Sequence, residues 1–319
     1  MMRALAITGP TASGKTALSI KLARELGGEI ISCDSMQIYK EMNIGTAKAT
    51  VAERAAVPHH LVDFLSPDKS FSADNYRVAA LAVAEEILSR GRIPIFVGGT
   101  GLYIDTVARA AVPDVPASDP QYRDRLLADI KTDEDVDALW QRLYSVDPES
   151  AKSIHKNNVK RVIRAIEIYD ATGKPKTYFD ELTKNAEPPI KIGMITLDFY
   201  NRDMLYERID RRVDIMLAEG LEAEARSLYE RGIITADNTA GQAIGYKELI
   251  GYFEGRATLD EAIAELKLAS RRYAKRQLTW FRRSNAYRLY LDTSDGEMRQ
   301  ESEILAELFI AAKNFLNTI

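Results

Sequence analysis

Eight consecutive residues, Gly9, Pro10, Thr11, Ala12, Ser13, Gly14, Lys15 and Thr16, match G-x-x-x-x-G-K-[ST] without a gap and leave the chain few folds to choose from. The glycines let the backbone turn its N–H groups inward around a polyanion, and a helix starting after Lys15 adds its positive dipole end. Lys15 supplies a point charge to phosphate oxygens, and the Thr16 hydroxyl is a ligand type for Mg²⁺. The pattern arises by chance in about one per cent of chains of this length. Its context is the required one. Ala4 to Thr8 is a short apolar run that reads as a buried strand, and Thr16 to Leu26 carries Leu18, Leu22 and Leu26 at helical spacing before Gly27-Gly28. A di- or triphosphate is the expected ligand.

The same alternation continues. Glu29 to Cys33 reads as a second strand, Asp74 to Ser89 as a helix, and Ile93 to Val97 as a third strand running into Gly98-Gly99-Thr100-Gly101. Apolar strands alternating with helices predict a parallel sheet covered on both faces, an α/β core. The pattern breaks at the Pro-punctuated run Val112 to Pro116. Ser118 to Gln121 then combines a capping box with an early helical proline. Polar, helical sequence follows until Glu187-Pro188-Pro189, and Ile190 to Phe199 returns to a strand. Residues 1–112 and 188–319 are therefore expected to form the core, with 113–187 a helical insertion. The rest reads as helical: Asp203 to Glu219, Leu221 to Arg231, Gly241 to Glu254, and a long last helix opening at the capping box Thr258 to Glu261.

Charge is segregated along this chain. The formal charge of the 319 residues is −4, which by itself argues against nucleic acid. Yet Lys267 to Arg288 holds eight basic residues and no acidic one, leaving −12 for the remainder. Lys152 to Arg164 holds five basic residues and no acidic one. A solvated helix face normally mixes signs, so such runs imply an anionic partner. Leu259, Leu266, Tyr273 and Trp280 recur every seven residues and read as a packed seam, with Trp280 in it rather than free to stack on a base. His59-His60 lack metal-ligand spacing and read as structural. One cysteine, Cys33, excludes an intramolecular disulfide and fits a reducing, cytoplasmic setting. No apolar run approaches the roughly 18 residues of a spanning helix.

A phosphate-loop ATPase normally ends a buried strand on a Mg²⁺-binding aspartate. Here the strand Ile93 to Val97 ends without an acid, and the only carboxylate ending an early strand is Asp34. The carboxyl ends of adjacent strands in such a sheet face one crevice, which groups Asp34, Thr100 and the phosphate loop. Asp34 reads equally as a metal ligand, a base or a turn cap. The glycines before Thr100 suit a backbone close to a ligand, or a tight turn. Two classes remain: a phosphotransferase or NTPase, and a transferase holding a diphosphate leaving group while a nucleic acid presents the acceptor. The missing acid and the two separate basic surfaces favour the second.

The blocks GPTASGKT (9–16), DSMQIY (34–39), IGTAK (44–48), PHHLVD (58–63), VGGTGLY (97–103), KRVIRAIEIY (160–169), YERIDRRVDIML (206–217), AIGYKEL (243–249) and RRYAKRQLTWFRR (271–283) run in order through the chain. With them it resembles the bacterial tRNA dimethylallyltransferases, also called tRNA isopentenyltransferases. The resemblance implies a P-loop NTPase-like parallel sheet flanked by helices, with a helical insertion domain and a helical C-terminal part. It implies transfer of a dimethylallyl group from dimethylallyl diphosphate to N6 of adenosine 37 in tRNAs reading U-starting codons, with Mg²⁺ as cofactor. The rival within reach of the same motifs is an adenylate isopentenyltransferase acting on free AMP, ADP or ATP.

By that resemblance Asp34 is the base, Thr100 lies in the reaction centre, Arg212 reaches the diphosphate, and Lys15 and Thr16 serve it and its metal. Ser35, Met36 and Gln37 join Asp34 and Thr100 at the tRNA, with Gln37 on the target base. The tRNA would be gripped by Arg123, by Lys160, Arg161, Val162, Ile163 and Arg164, and by Gln242, Ala243, Ile244, Gly245, Tyr246 and Lys247. Lys275, Arg276, Gln277, Leu278, Thr279, Trp280, Phe281 and Arg282 would complete the grip. A monomer without obligate protein partner or membrane contact is the expected state.

Overall fold

The computed structural model describes residues 2–110, 115–116 and 119–318, the last without its side chain. Val112, Pro113, Asp114 and Ser118 lie outside the described residues, and with them the expected 112/113 boundary and the Ser118 cap. The chain divides into two compact units, residues 1–108 with 190–319, and residues 109–189.

In the first unit the chain runs through β1 (Met2–Thr8), α1 (Lys15–Leu26), β2 (Gly28–Ser32), α2 (Val51–Ala56), β3 (His59–His60), α3 (Ala73–Ser89), β4 (Ile93–Gly98) and α4 (Gly101–Ala108). The second unit supplies α5 (Pro120–Ala128), α6 (Asp133–Val146), α7 (Pro148–Ser153), α8 (Val159–Thr172) and α9 (Lys176–Asn185). The first unit resumes with β5 (Ile190–Asp198), α10 (Arg202–Ala218), α11 (Leu221–Glu230), α12 (Lys247–Phe253), α13 (Leu259–Phe281), β6 (Tyr287–Tyr290) and α14 (Glu301–Thr318).

The strands form one sheet in the order β3-β2-β4-β1-β5-β6, with every neighbouring pair parallel. β1 is central and obeys the strand alternation. Leu5 and Ile7 face a core shared with Leu22 of α1, Ile209 of α10, Leu278 of α13 and Leu308 of α14. Ala4 and Ala6 face the opposite core, with Tyr76 and Ile87 of α3 and Ile104 of α4. Each large side chain so buried contributes about 1.5–3 kcal/mol of hydrophobic stabilisation. A third cluster packs α10 to α13 against Ile38, Tyr39 and Met42 of the segment after β2. Because all strands are parallel, Gly9, Cys33-Asp34 and Gly98–Thr100 leave the sheet at the same carboxyl edge.

Several expectations change. The region from Gly241 is helical only from Lys247 on, because residues 235–246 are held in turns. Asn238 accepts from Gly241 N at 2.7 Å and donates to the Ile233 carbonyl at 2.7 Å. A Cβ on Gly241 would lie 1.9 Å from the Thr235 carbonyl oxygen, so this crossing requires glycine. α13 is not the last helix, since β6 and α14 follow it. A four-residue edge strand is too short to show a period. His59 and His60 form the short edge strand β3. His60 contacts the buried Glu29 at 2.7 Å, and Arg90 donates to the same carboxylate at 2.8 Å. In the second unit α5 is capped by Asp119, which accepts from Gln121 N and Tyr122 N. The apolar face of α8 there buries Val162, Ile163 and Ile166 against Leu139 and Leu143 of α6.

Candidate active site

The phosphate loop is shaped by three residues with positive φ: Gly9 at 141°, Ala12 at 62° and Gly14 at 80°. Gly14 caps α1 in the left-handed region without a side-chain bond, so the first amides of α1 stay open to an external anion. A Cβ on Gly9 would lie 2.7 Å from the Leu197 carbonyl oxygen of β5. Lys15 turns its ammonium into the loop, donating to the Gly9 carbonyl at 3.0 Å and the Pro10 carbonyl at 2.6 Å. Burial, with Arg212 as a second cation, lowers its pKa to about 7 against the pull of Asp34. Neither the buried Ser13 hydroxyl nor Thr16 Oγ1 has a hydrogen-bond partner among the described residues. Arg208 donates from Nε to the Ala12 carbonyl at 3.1 Å.

Asp34 follows β2. Its Oδ1 accepts from Met36 N at 2.9 Å and Gln37 N at 3.3 Å, so the turn-cap reading holds for that oxygen. Its Oδ2 takes no hydrogen bond within the described residues. Thr100 Oγ1 accepts from Ser35 N at 3.2 Å, and Thr100 N donates to the Cys33 carbonyl at 3.1 Å, tying the two strand ends together. Arg212, half-buried on α10, has its pKa lowered by burial, with Asp34 opposing. Tyr273 of α13 is pushed up to about 12 by burial and by Asp34, while bonding to Thr100 and Gln277 works the other way.

These groups border a cavity of about 290 Å³. Thr11, Asp34, Arg212, Tyr273 and Arg276 supply its polar wall, and Ile209, Val213, Met216 and Leu266 its apolar one. A second cavity of about 610 Å³ shares Gln242, Ile244 and Arg276 with the first and is rimmed by Lys247, Arg256 and Arg272. The first cavity thus joins a phosphate-loop residue, a carboxylate with a free oxygen and an apolar surface. That combination suits an apolar group carried on a diphosphate.

Of the residues expected at the site, Asp34, Ser35, Met36 and Arg212 line the first cavity together with Gln242, Ala243, Ile244, Gly245 and Arg276. Lys15, Thr16 and Thr100 are not among its lining residues. Gln37 is not among the residues lining it: its Nε2 donates to the Thr46 carbonyl at 3.1 Å and the Ala47 carbonyl at 3.2 Å, while its Oε1 takes only the Ser32 hydroxyl, at 3.5 Å. The glycines before Thr100 are explained by the protein itself. A Cβ on Gly98 would meet the Cys33 carbonyl oxygen at 2.2 Å, one on Gly99 the Gln277 amide at 1.9 Å, and one on Gly101 the Trp280 ring at 2.3 Å. Trp280 therefore packs on α4, its Nε1 donating to Asp105 at 3.2 Å. Val162, Ile163, Tyr246, Gln277, Leu278 and Phe281 are buried, and Ala243, also buried, borders the cavity. Within those stretches the exposed positions are Lys160, Arg161, Gln242, Lys247, Lys275, Arg276, Thr279 and Arg282. Tyr273, read as seam, is a site residue the sequence did not single out. Its heptad position concealed that it sits one turn before Gln277 at the crevice.

The basic runs are half compensated. Lys267 pairs with Asp214 at 2.6 Å, Arg271 with Asp210 at 2.6 Å, Arg272 with Glu265 at 3.5 Å and Arg288 with Asp198 at 3.4 Å. Lys275, Arg276, Arg282 and Arg283 have no carboxylate partner among the described residues, and Arg276 lies over the Tyr273 ring. The premise that all eight cations await an external anion is corrected: α10 answers two of them. In the second unit Arg123 and Arg164 both bind the buried Glu167, at 3.0 and 2.8 Å, while Lys152 pairs with Glu149 and Lys156 with Asp137. Lys160 and Arg161 are left exposed and unpaired among the described residues.

A family model described as IPP transferase matches residues 37–284, and one described as isopentenyl transferase matches residues 2–62. The tRNA dimethylallyltransferase of Geobacillus thermodenitrificans is 53% identical over 279 residues, 86% of each chain. That of Geobacillus kaustophilus is 47% identical over 308 residues, 96% of each chain. Among solved structures, the full-length tRNA isopentenylpyrophosphate transferase of Bacillus halodurans superposes with a TM-score of 0.72 at 43% identity, covering 100% of this chain and 98% of that one. A eukaryotic dimethylallyltransferase acting on tRNA superposes at 0.79 and 28% identity, covering 97% and 85%.

Proposed function

The chain belongs to the IPP transferase family, and on that premise we propose that it transfers a dimethylallyl group from dimethylallyl diphosphate to N6 of adenosine 37 in tRNAs reading U-starting codons. The observation carrying this reading is the cavity that joins the phosphate loop to the free oxygen of Asp34 along an apolar wall. The exocyclic amine is a weak nucleophile because its lone pair is delocalised into the ring. As N6 attacks the allylic carbon, the C–O bond to the diphosphate breaks and the amine proton passes to Asp34 Oδ2. The charge that builds on the diphosphate is met by loop amides, the unpartnered Ser13 hydroxyl, Lys15 and Arg212.

The Thr16 hydroxyl, unbonded within the described residues, is the group we assign to Mg²⁺. Among those residues no cluster of three or more His, Cys, Asp or Glu could cage a metal. When bound, the ion adds positive charge to the leaving group. The target adenine must leave its stack, at a cost of a few kcal/mol. We assign that work to the exposed cations: Lys247, Lys275, Arg276 and Arg282 in the first unit, Lys160 and Arg161 in the second, which serves as the tRNA-gripping insertion. No helix among the described residues is long and apolar enough to cross a membrane.

The test incubates the protein with labelled dimethylallyl diphosphate and Mg²⁺ and offers tRNA or AMP. Label entering tRNA is the expected result; label in AMP alone would replace this reading with the adenylate one. Asp34→Asn keeps the cap acceptor and removes the base, so transfer should fall roughly 10²–10⁴-fold. Its tRNA affinity should stay within a few-fold of wild type by filter binding; loss of both would make Asp34 structural.

A further inference from the structure

Gln277 is a buried polar side chain on α13, a helix whose neighbouring positions face either the core or solvent. Its Oε1 accepts from Thr11 N of the phosphate loop at 2.8 Å, and its Nε2 donates to the Gly99 carbonyl at 3.1 Å. The side chain lies between the two loops. A Cβ on Gly99 would fall 1.9 Å from Nε2 and 3.5 Å from the Gly9 carbonyl oxygen. Thr100 follows Gly99 and binds Ser35, next to Asp34. One amide therefore connects the diphosphate end of the site to the end that holds the base. Only a group that accepts on one side and donates on the other can make both bonds.

We propose that Gln277 is a positioning residue that sets the spacing between the phosphate loop and the Asp34–Thr100 side of the site. This rests on the prenyl-transfer reading only for its kinetic readout. It differs from the tRNA-gripping role that the resemblance implied for this position, and the two roles separate in kinetics. A misplacement of about 1 Å between reacting groups can cost about 10²-fold in rate while binding surfaces elsewhere are untouched.

Two variants test it. Gln277→Met keeps the volume and loses both bonds. With saturating substrates kcat should fall about 10²-fold, with KM for tRNA within twofold of wild type. An unchanged kcat with a raised KM for tRNA would overturn the proposal. In Gln277→Glu, a protonated carboxyl reproduces the amide: its O–H donates to Gly99 and its carbonyl oxygen accepts from Thr11. An ionised carboxylate would face the Gly99 carbonyl with no proton to give. Burial raises the pKa of such a carboxyl. The charged and titratable groups around it are Tyr273 on its own helix, Lys15 in the phosphate loop, Asp34 after β2 and Arg276. The ratio of variant to wild-type kcat should approach one in acid and fall at least tenfold as pH rises, since titrations common to both proteins cancel in it. A ratio flat in pH would overturn the proposal even if Gln277→Met failed to fold. If wild type transferred no prenyl group, the reaction assignment alone would fail. Affinity for inorganic pyrophosphate, as the same ratio against pH, would still decide the strut: a falling ratio supports it and a flat one rejects it.

Discussion

Lys15 shows how a residue recognised by its motif acquires a property the motif does not carry. Burial and the nearby Arg212 lower its pKa to about 7, so near neutrality the empty loop holds it only partly charged. A diphosphate favours the ammonium, and binding above pH 7 should therefore draw in a proton. Calorimetry of inorganic pyrophosphate at pH 8, in buffers of different ionisation enthalpy, should show most of one extra proton taken up relative to Lys15→Arg, whose guanidinium is always charged. Equal uptake by the two proteins would exclude the effect. The linkage has a cost in the free protein: a lysine whose folded pKa is depressed destabilises the fold below its unfolded value near 10.4 and most fully below about 7. Cys33 is the contrary case. Burial pushes its thiol to about 12, and it lies 2.8 Å from the Tyr76 hydroxyl, so its place beside Asp34 gives it no nucleophilic role.

Among the elements, α13 divides its cations by partner. Lys267 and Arg271 answer carboxylates of α10, whereas Lys275 and Arg282 answer none among the described residues. Replacing Lys275 and Arg282 together by Ala should weaken tRNA binding and reduce the slope of log K against log salt by about two. Arg271→Ala should leave that slope alone and lower stability instead, because Asp210 already has one buried oxygen without a partner. The segment after β2 depends on α11 in a similar way. Glu224 accepts from the backbone amides of Asn43, Ile44 and Gly45 at 2.9–3.1 Å and from the Tyr246 hydroxyl at 2.6 Å. Gly45 and Thr46 form part of the cavity wall. Glu224→Ala leaves those donors without their acceptor and should cost about 2 kcal/mol, read from the denaturant midpoint. A shift under a few tenths would mean water replaces the carboxylate freely.

At the scale of the whole molecule, three of the five buried carboxylates among the described residues, Glu29, Asp147 and Glu167, contribute to the acid limit. Burial alone would raise their pKa values, but hydrogen bonds outweigh it and hold all three below the usual range. His60 and Arg90 do this for Glu29, Ser150 and Thr177 for Asp147, and Arg164, Asp119 and Arg123 for Glu167. For a depressed carboxylate the stabilisation is present above the unfolded pKa, near 4, and is lost as pH falls through the folded value. Urea midpoints should therefore drop below pH 4, and rise above about pH 7 as the penalty on the buried Lys15 is relieved. Glu167→Gln should flatten part of that drop, and an unchanged acid limb would remove Glu167 from this account. The same residue holds Arg123 and Arg164, two cations that the family resemblance places at the tRNA.

Local chemistry was legible in the sequence because contiguous residues carry it. The phosphate loop is eight residues whose glycines, lysine and threonine each have one steric or electrostatic task. The strand that precedes it, the capping box of α13 and the apolar stripes of α1 and α3 likewise state themselves within a few turns of chain. The helical insertion announced itself through proline and the loss of strand pattern. What the tertiary structure alone decided are the pairings across long separations. Thr11 meets Gln277 across 266 positions, Arg271 meets Asp210 across 61, and Gly98, Gly99 and Gly101 are small because protein, not ligand, closes on them. A run of eight cations looks uncompensated when only its own helix is in view, and half of it is neutralised once the chain folds back. Propensity and spacing act over a few residues, whereas burial, ion pairing and the reach of an amide act through space. The phosphate loop could therefore be located from sequence, and the Gln277 side chain that ties it to the Gly99 carbonyl could not.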